Sequence, residues 1–164
     1  MSFSPIPDVY ARALPDLTLE FLRRRGITLL MLDLDNTIAP YGATAPASEI
    51  LAWADRLKDG GVTLFIVSNS RKTARVSSFA AQLGCGFVHH ARKPSPKALR
   101  AVMRDYDAAN CAFVGDQTYT DVLGANRAGV LSIAVHPLKW TNPLLLARYW
   151  LELPFRAMTK ERLK

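Results

Sequence analysis

The sequence predicts an α/β protein, with a mainly parallel sheet of five strands covered by helices on both faces. Three observations predict it. Short apolar runs recur near residues 27–32, 62–67, 86–88, 111–114 and 131–135, and continuous runs of that length fit strands buried on both faces. A helical segment lies between each consecutive pair, and strand–helix alternation is the pattern of a parallel sheet. Polar groups collect just after the runs, where such sheets bind ligands.

Residues 1–16 carry Pro5, Pro7 and Pro15 and read as irregular, with one turn of helix around Val9 to Leu14. Thr18 caps a short helix, Leu19 to Arg25, which Gly26 ends. Its last turn holds Arg23, Arg24 and Arg25, which suit either a helix C-terminus or an anion. After the first run, Pro40, Gly42 and Pro46 make 36–46 a loop. A helix with Ile50, Leu51, Trp53, Ala54 and Leu57 follows, and Asp59-Gly60-Gly61 closes it. The second run, Val62 to Val67, is rich in β-branched and aromatic residues. Next come a helix from Lys72 to Leu83, closed by Gly84, and a short strand, Gly86 to Val88. Ser95 reads as the cap of a helix with Pro96 at its first position, running to Tyr106. Cys111 to Val114, a helix over Asp121 to Ala128 with Gly129 at its end, and Leu131 to Val135 complete the alternation.

The tail, 137–164, departs from this rhythm. Asn142-Pro143 opens a helix carrying Leu144, Leu145, Leu146, Tyr149, Trp150, Leu151 and Leu153. Its wide apolar side suits packing on the domain, the preferred reading, or contact with a membrane surface or partner. The chain therefore divides into an N-terminal segment (1–26) packing on the core, a catalytic core (27–136) and a helical tail (137–164), one domain overall.

Composition narrows the function. A chain with 49% hydrophobic and 21% charged residues is an ordinary globular one. No apolar run reaches the about 18 residues of a membrane span, and Met1 to Pro7 does not read as a signal peptide. Cys85 and Cys111 are too few for a disulfide framework and read as buried thiols. The cytoplasm is the expected compartment. The net charge of +7 suits phosphorylated metabolites, nucleic acid or an anionic membrane surface. Nucleic acid is disfavoured, because no basic–aromatic ladder is visible. Oligomeric state is not legible.

The chemistry lies at the ends of the runs. Asp33 and Asp35 follow the first, Ser68 and Asn69 the second, Lys93 the third, and Asp116 with Asp121 the fourth. Side chains two apart in extended chain point the same way, so Asp33 and Asp35 can face one ligand. Like charges held close repel, and two carboxylates at a strand end add nothing to stability. Carboxylates without a cysteine cluster suit a hard ion such as Mg²⁺. Ser68 and Lys93 suit phosphate oxygens. Asn36 and Gln117 fall near the same crevice.

These residues carry a resemblance. Asp33-Leu34-Asp35-Asn36-Thr37, Ser68 after an apolar strand, Lys93-Pro94, and Gly115-Asp116 with Asp121 five residues on, in that order, resemble the haloacid dehalogenase (HAD) superfamily of phosphohydrolases. The strings Asp33 to Ile38, Val67 to Ser70, Ala91 to Pro94 and Val114 to Gly129 are similar to its subfamily IIIA, YqeG-type branch, over about Tyr10 to Glu152. The resemblance implies a three-layer Rossmann-like fold and a Mg²⁺-dependent phosphomonoester hydrolase. Asp33 would be the nucleophile, forming an aspartyl-phosphate, and Asp35 the proton carrier. Asp33, Asp116 and the backbone carbonyl of Asp35 would hold Mg²⁺. Ser68, Asn69 and Lys93 would hold the phosphoryl group, while Thr37 and Asp121 support. His89 and His90 read as surface residues, since histidine is not a natural Mg²⁺ ligand.

Only about 30 residues separate Thr37 from Ser68, so no large cap domain fits there and the site is expected to be open. The branch is similar to phosphatidylglycerophosphate phosphatases, which implies a lipid head group as substrate and peripheral contact of the tail with the inner membrane face. A soluble phosphorylated metabolite is the alternative substrate. A HAD-fold protein that mainly binds RNA or a protein partner is the alternative from another class.

Overall fold

The computed structural model describes residues 3–139 and 143–163. Asn142, read above as opening the tail helix, lies outside them. Seven strands form one sheet in the order β4-β3-β2-β5-β6-β1-β7. They are β1 (Val9–Ala11), β2 (Leu29–Leu32), β3 (Thr63–Val67), β4 (Gly86–Val88), β5 (Cys111–Gly115), β6 (Leu131–Val135) and β7 (Glu161–Arg162). Every pairing is parallel. The helices are α1 (Leu19–Arg24), α2 (Ser48–Asp59), α3 (Thr73–Leu83), α4 (Lys97–Val102), α5 (Leu123–Ala128) and α6 (Pro143–Ala157).

Two apolar layers sandwich the sheet, and β2 shows why its residues are a continuous apolar run. Leu30 and Leu32 join one layer with Leu22 of α1, Trp53 and Leu57 of α2, and Phe79 of α3. Leu29 and Met31 join the other, with Leu99 of α4 and Ala125 of α5. A strand covered on both faces needs apolar residues at every position.

The five expected strands are β2 to β6. The sheet is wider by two, and the helical turn expected around Val9 to Leu14 is corrected to β1 followed by a 3-10 turn, Leu14–Asp16. Asp8 shows the reason, since its carboxylate accepts from Ser132 N and Oγ at 3.2 and 3.0 Å and from Lys160 Nζ at 2.7 Å. That carboxylate ties the segment beside β6 and β7. The expected α4 also shortens: it starts at Lys97 with Pro96, not Ser95, as its cap, and ends at Val102 instead of Tyr106. Tyr106 instead turns back to reach Thr63 Oγ1 at 3.2 Å.

The three arginines of α1 have protein partners. Arg23 Nη2 donates to Gly60 O at 3.1 Å, and Arg24 and Arg25 pair with Glu20 and Glu161. Cys85 and Cys111 are unbonded to each other, and burial pushes both thiols up to about 11.

The order of strands locates the site. From β2 the chain moves outward through β3 and β4, then returns to β5 on the other side of β2. A parallel sheet opens a crevice where its order reverses in this way. Leu32 is level with Ile66 on β3 and with Val114 on β5. The strands thus end flush, and Asp33, Ser68 and Asp116 emerge side by side. Only α2 and a loop separate Thr37 from β3, and only α3 and β4 separate Ser68 from Lys93, so no inserted domain covers this edge.

Candidate active site

Asp33, Asp116 and Asp121 meet at the β2–β5 crevice. One oxygen from each carboxylate lies within 4.8 Å of the others, and all three residues are buried. Asp33 is placed by the end of β2, where its N–H donates to Val114 O at 2.8 Å. Asp116 follows β5. Asp121 is brought back beside it by a single π-helical turn, Thr118–Val122. Gly115 allows this approach, because a Cβ there would run into the Asp121 side chain. Gln117 N donates to Asp121 Oδ2 at 3.0 Å and fixes its carboxylate.

Lys93 bridges two of the three carboxylates. Its Nζ is 2.6 Å from Asp33 Oδ1 and 2.8 Å from Asp121 Oδ1. Asn69 holds the backbone of Lys93 at both ends: Lys93 N donates to Asn69 Oδ1 at 2.7 Å, and Asn69 Nδ2 donates to Lys93 O at 3.1 Å. The carboxamide read from sequence as substrate-binding is therefore committed to Lys93. Ser68 is buried, and its Oγ accepts from Ser70 N at 3.1 Å, which leaves its hydroxyl proton for another acceptor.

Electrostatics in this crevice are out of balance. Burial pushes the Asp33 carboxyl up to about 7 against the pull of Lys93, and Asp121 adds to the rise. Burial, then Asp121 and Asp33, push Asp116 well above the carboxylate range. Burial opposes the charge on Lys93, but Asp121 and Asp33 outweigh it and hold the ammonium protonated. Three carboxylates share one ammonium at the centre. Asp116 Oδ1 is buried with no hydrogen-bond partner. An all-oxygen donor set with surplus negative charge and an unpartnered carboxylate oxygen fits a divalent cation such as Mg²⁺.

Asp35 stands apart from that cluster. It lines the same crevice, but its carboxylate faces Arg75 Nη1 at 2.8 Å. Arg75 also donates to Ala43 O at 3.0 Å, so α3 braces the loop after β2. Thr37 lies in the same loop. It is buried, yet its Oγ1 has no hydrogen-bond partner; its N–H reaches Leu34 O at 3.4 Å. Asn36 turns the loop with φ of 60°, a region asparagine tolerates, and its Nδ2 donates to Lys139 O at 2.9 Å. His89 is exposed, with Thr73 Oγ1 3.4 Å from its Nδ1.

Four residues of the site were not read from sequence. Tyr41 lines the crevice, and its hydroxyl accepts from Gln117 Nε2 at 3.2 Å; burial, then Asp116, push its phenol up to about 12. Arg75 had a usable signal, a cation in the first turn of a helix, where the dipole disfavours it unless a carboxylate is near. Glu152 and Arg156 of α6 had none. The crevice is a small cleft, about 60 Å³, that opens to solvent.

Comparison with known proteins agrees with this geometry. The family model described as haloacid dehalogenase-like hydrolase matches residues 17–129. The chain is 34% identical over 135 residues to the probable phosphatase YqeG of Bacillus subtilis, covering 81% of this chain and 78% of that one. It is 26% identical to phosphatidylglycerophosphate phosphatase 1 of Arabidopsis thaliana over 87% of this chain but 44% of that protein. Among solved structures, the 3-deoxy-D-manno-octulosonate 8-phosphate phosphatase of Moraxella catarrhalis, in complex with magnesium and phosphate, superposes with a TM-score of 0.59 at 17% identity, over 87% of this chain and 80% of that one. At that identity the likeness is one of fold.

Proposed function

Because the chain belongs to the haloacid dehalogenase-like hydrolases and is a phosphatase of that family, we propose that it is a Mg²⁺-dependent phosphomonoester hydrolase acting through an aspartyl-phosphate, with phosphatidylglycerophosphate as its substrate. The observation that carries the reading is Asp33, buried beside Asp116 and Asp121 with Lys93 Nζ 2.6 Å from its carboxylate.

The residues would divide the work as follows. Asp33, Asp116 and the backbone carbonyl of Asp35 hold the cation, and Asp121 supports it while orienting Lys93. The cation supplies the charge neutralisation that lets an anion attack an anion. Lys93 and the Ser68 hydroxyl bind phosphoryl oxygens, and Asn69 keeps Lys93 in place. An oxygen of Asp33 attacks phosphorus, and the bond from phosphorus to the ester oxygen breaks. Asp35 gives that oxygen its proton. It then takes a proton from a water that attacks the same phosphorus, and the bond to Asp33 breaks to release phosphate. Arg75 engages Oδ1 of Asp35, and Oδ2 carries the proton in both transfers.

A lipid substrate is supported by three features. No inserted domain covers the crevice, so a phosphoester presented at a surface can reach it. The similarity to the Arabidopsis enzyme extends over most of this chain. On α6, Leu146, Trp150, Leu151 and Met158 just beyond it are exposed, and an apolar helical face on a protein of net charge +7 suits an anionic bilayer. We place the enzyme at the inner membrane face on these grounds; no described helix is long and apolar enough to cross a membrane. The test is phosphate release from phosphatidylglycerophosphate vesicles and from a panel of soluble phosphate esters, with and without Mg²⁺, for the native chain and Asp33→Asn. Release from the lipid that needs both Mg²⁺ and Asp33 is expected. Release from soluble esters with none from the lipid would overturn the lipid assignment.

A further inference from the structure

The tail helix α6 turns charged side chains inward. Among its described side chains, the buried ones are charged: Glu152 is 2% exposed and Arg156 is 3%. Leu146, Trp150, Leu151 and Met158 are 43%, 65%, 68% and 60% exposed on the other side. A helix that only covers a core buries its apolar stripe, and a buried ion pair is a poor source of stability, since desolvation offsets its attraction. The inner face is therefore explained by what it grips.

It grips the segment that leads out of β5 into the acidic centre. Arg156 Nη2 donates to the backbone carbonyl of Asp116, and Nη1 donates to Val135 O at 3.1 Å. The fully buried Thr118 donates its hydroxyl to Glu152 Oε2 at 3.0 Å, and Arg156 Nη2 meets the same oxygen at 3.1 Å. Arg148 Nε stands 3.4 Å from the other Glu152 oxygen. Phe155 packs edge-on against Tyr119, with ring centroids 5.6 Å apart. Residues 116, 118 and 119 are thus all held from α6, while Asp116 Oδ1 is left without a hydrogen-bond partner. With its carbonyl engaged behind, the Asp116 carboxylate is free to face Asp33 and Asp121.

We propose that Glu152 and Arg156 are positioning residues: they fix the 116–118 backbone from α6 so that the Asp116 carboxylate is presented to the cation site. This rests on the reading of Asp116 as a cation ligand. Arg156 acts through the carbonyl of Asp116 and Glu152 through Thr118 and Arg156; neither touches the reacting atoms.

The experiment is Mg²⁺ calorimetry on the native chain and on Arg156→Met, Arg156→Lys, Glu152→Gln and, on the outer face, Leu151→Ala. Thermal unfolding and steady-state kinetics accompany it at limiting and saturating Mg²⁺. Arg156→Met and Glu152→Gln should weaken Mg²⁺ binding about tenfold or more, with Arg156→Lys intermediate because one donor survives. Leu151→Ala should bind as the native chain does. Activity of the weakened variants should fall at limiting Mg²⁺ and recover at saturating Mg²⁺, with KM for the ester unchanged. Folded variants that bind Mg²⁺ with native affinity overturn the proposal, even if they melt earlier. Should Arg156→Met fail to fold, Arg156→Lys and Glu152→Gln decide it. A native chain that takes up no Mg²⁺ overturns the cation reading and this inference together. A native chain that binds Mg²⁺ but releases phosphate from no ester overturns the phosphatase chemistry alone.

Discussion

Arg75 Nη1 lies 2.8 Å from Asp35 Oδ1 and fastens α3 to the loop that follows β2. Two carboxylates one residue apart thereby acquire separate surroundings: Asp33 sits among carboxylates and an ammonium, Asp35 against a guanidinium. Asp35→Asn should lower kcat by about 10²–10⁴-fold, the usual loss for an acid–base group. Arg75→Met should lower it by less, because the carboxyl survives and only its placement is lost. Mg²⁺ affinity should be unchanged in both. Steady-state kinetics alongside calorimetry checks the pair; Mg²⁺ affinity that falls in step with kcat would refute the division of roles.

Lys93 is the counter-charge on which the metal-free centre depends. Lys93→Met would leave Asp33 and Asp121 buried without their ammonium, and breaking such a pair costs about 3–5 kcal/mol. Urea unfolding in chelator should show that loss. Added Mg²⁺ should restore part of it, since a cation can take over the charge. A variant as stable as the native chain in chelator would contradict the ion pairing described for this crevice.

Mg²⁺ should raise the melting temperature of the native chain. A ligand held only by the folded state stabilises it by about 2.7 kcal/mol at a hundredfold excess over Kd. Asp116→Asn removes a proposed ligand and should shrink the Mg²⁺-dependent shift, without lowering the melting temperature in chelator by a comparable amount. Differential scanning calorimetry with Mg²⁺ and with chelator distinguishes these terms. Equal shifts in both proteins would remove Asp116 from the ligand set.

Acid should loosen the far edge of the sheet through Asp8. Burial tends to raise this carboxyl, but the Lys160 ammonium and the Ser132 donors outweigh it and hold it below its ordinary 3.8. A carboxylate depressed in the folded state contributes stability above the unfolded value, near 4, and loses it as pH falls toward and through the folded one. The urea midpoint should therefore drop below about pH 4 in the native chain, and Asp8→Asn should flatten that part of the dependence. An identical acid profile in the variant would show that other groups carry it.

The sheet interior was legible because burial on both faces forces an apolar residue at every position of β2 and at most positions of β3 and β5, a pattern loops lack. Its outer edge was not. Val9–Ala11 is too short to show a period and stands among prolines, and Glu161–Arg162 is two charged residues with no pattern at all. The site divides in the same way. Asp33, Ser68, Lys93 and Asp116 each follow a readable strand, so a flush register sufficed to bring them together. Asn69 was read for its position, whereas its partner, the Lys93 backbone, is a contact that only folding creates. Arg75, Glu152 and Arg156 belong to helices read for their apolar residues. On α6 that habit missed Glu152 and Arg156, which face inward.

That arrangement of α6 has a thermodynamic consequence. A helix whose inner side chains hold the backbone of Asp116 and whose outer side is greasy belongs to two equilibria at once. An occupant of Trp150 and Leu151 that favours the gripped arrangement of the helix tightens cation binding, and cation binding strengthens that docking by the same factor, because linkage between two sites is reciprocal. Trp150 and Leu151 on one side and Asp116 on the other are the two ends of that coupling, which is read as a change in Mg²⁺ affinity when the outer face is covered.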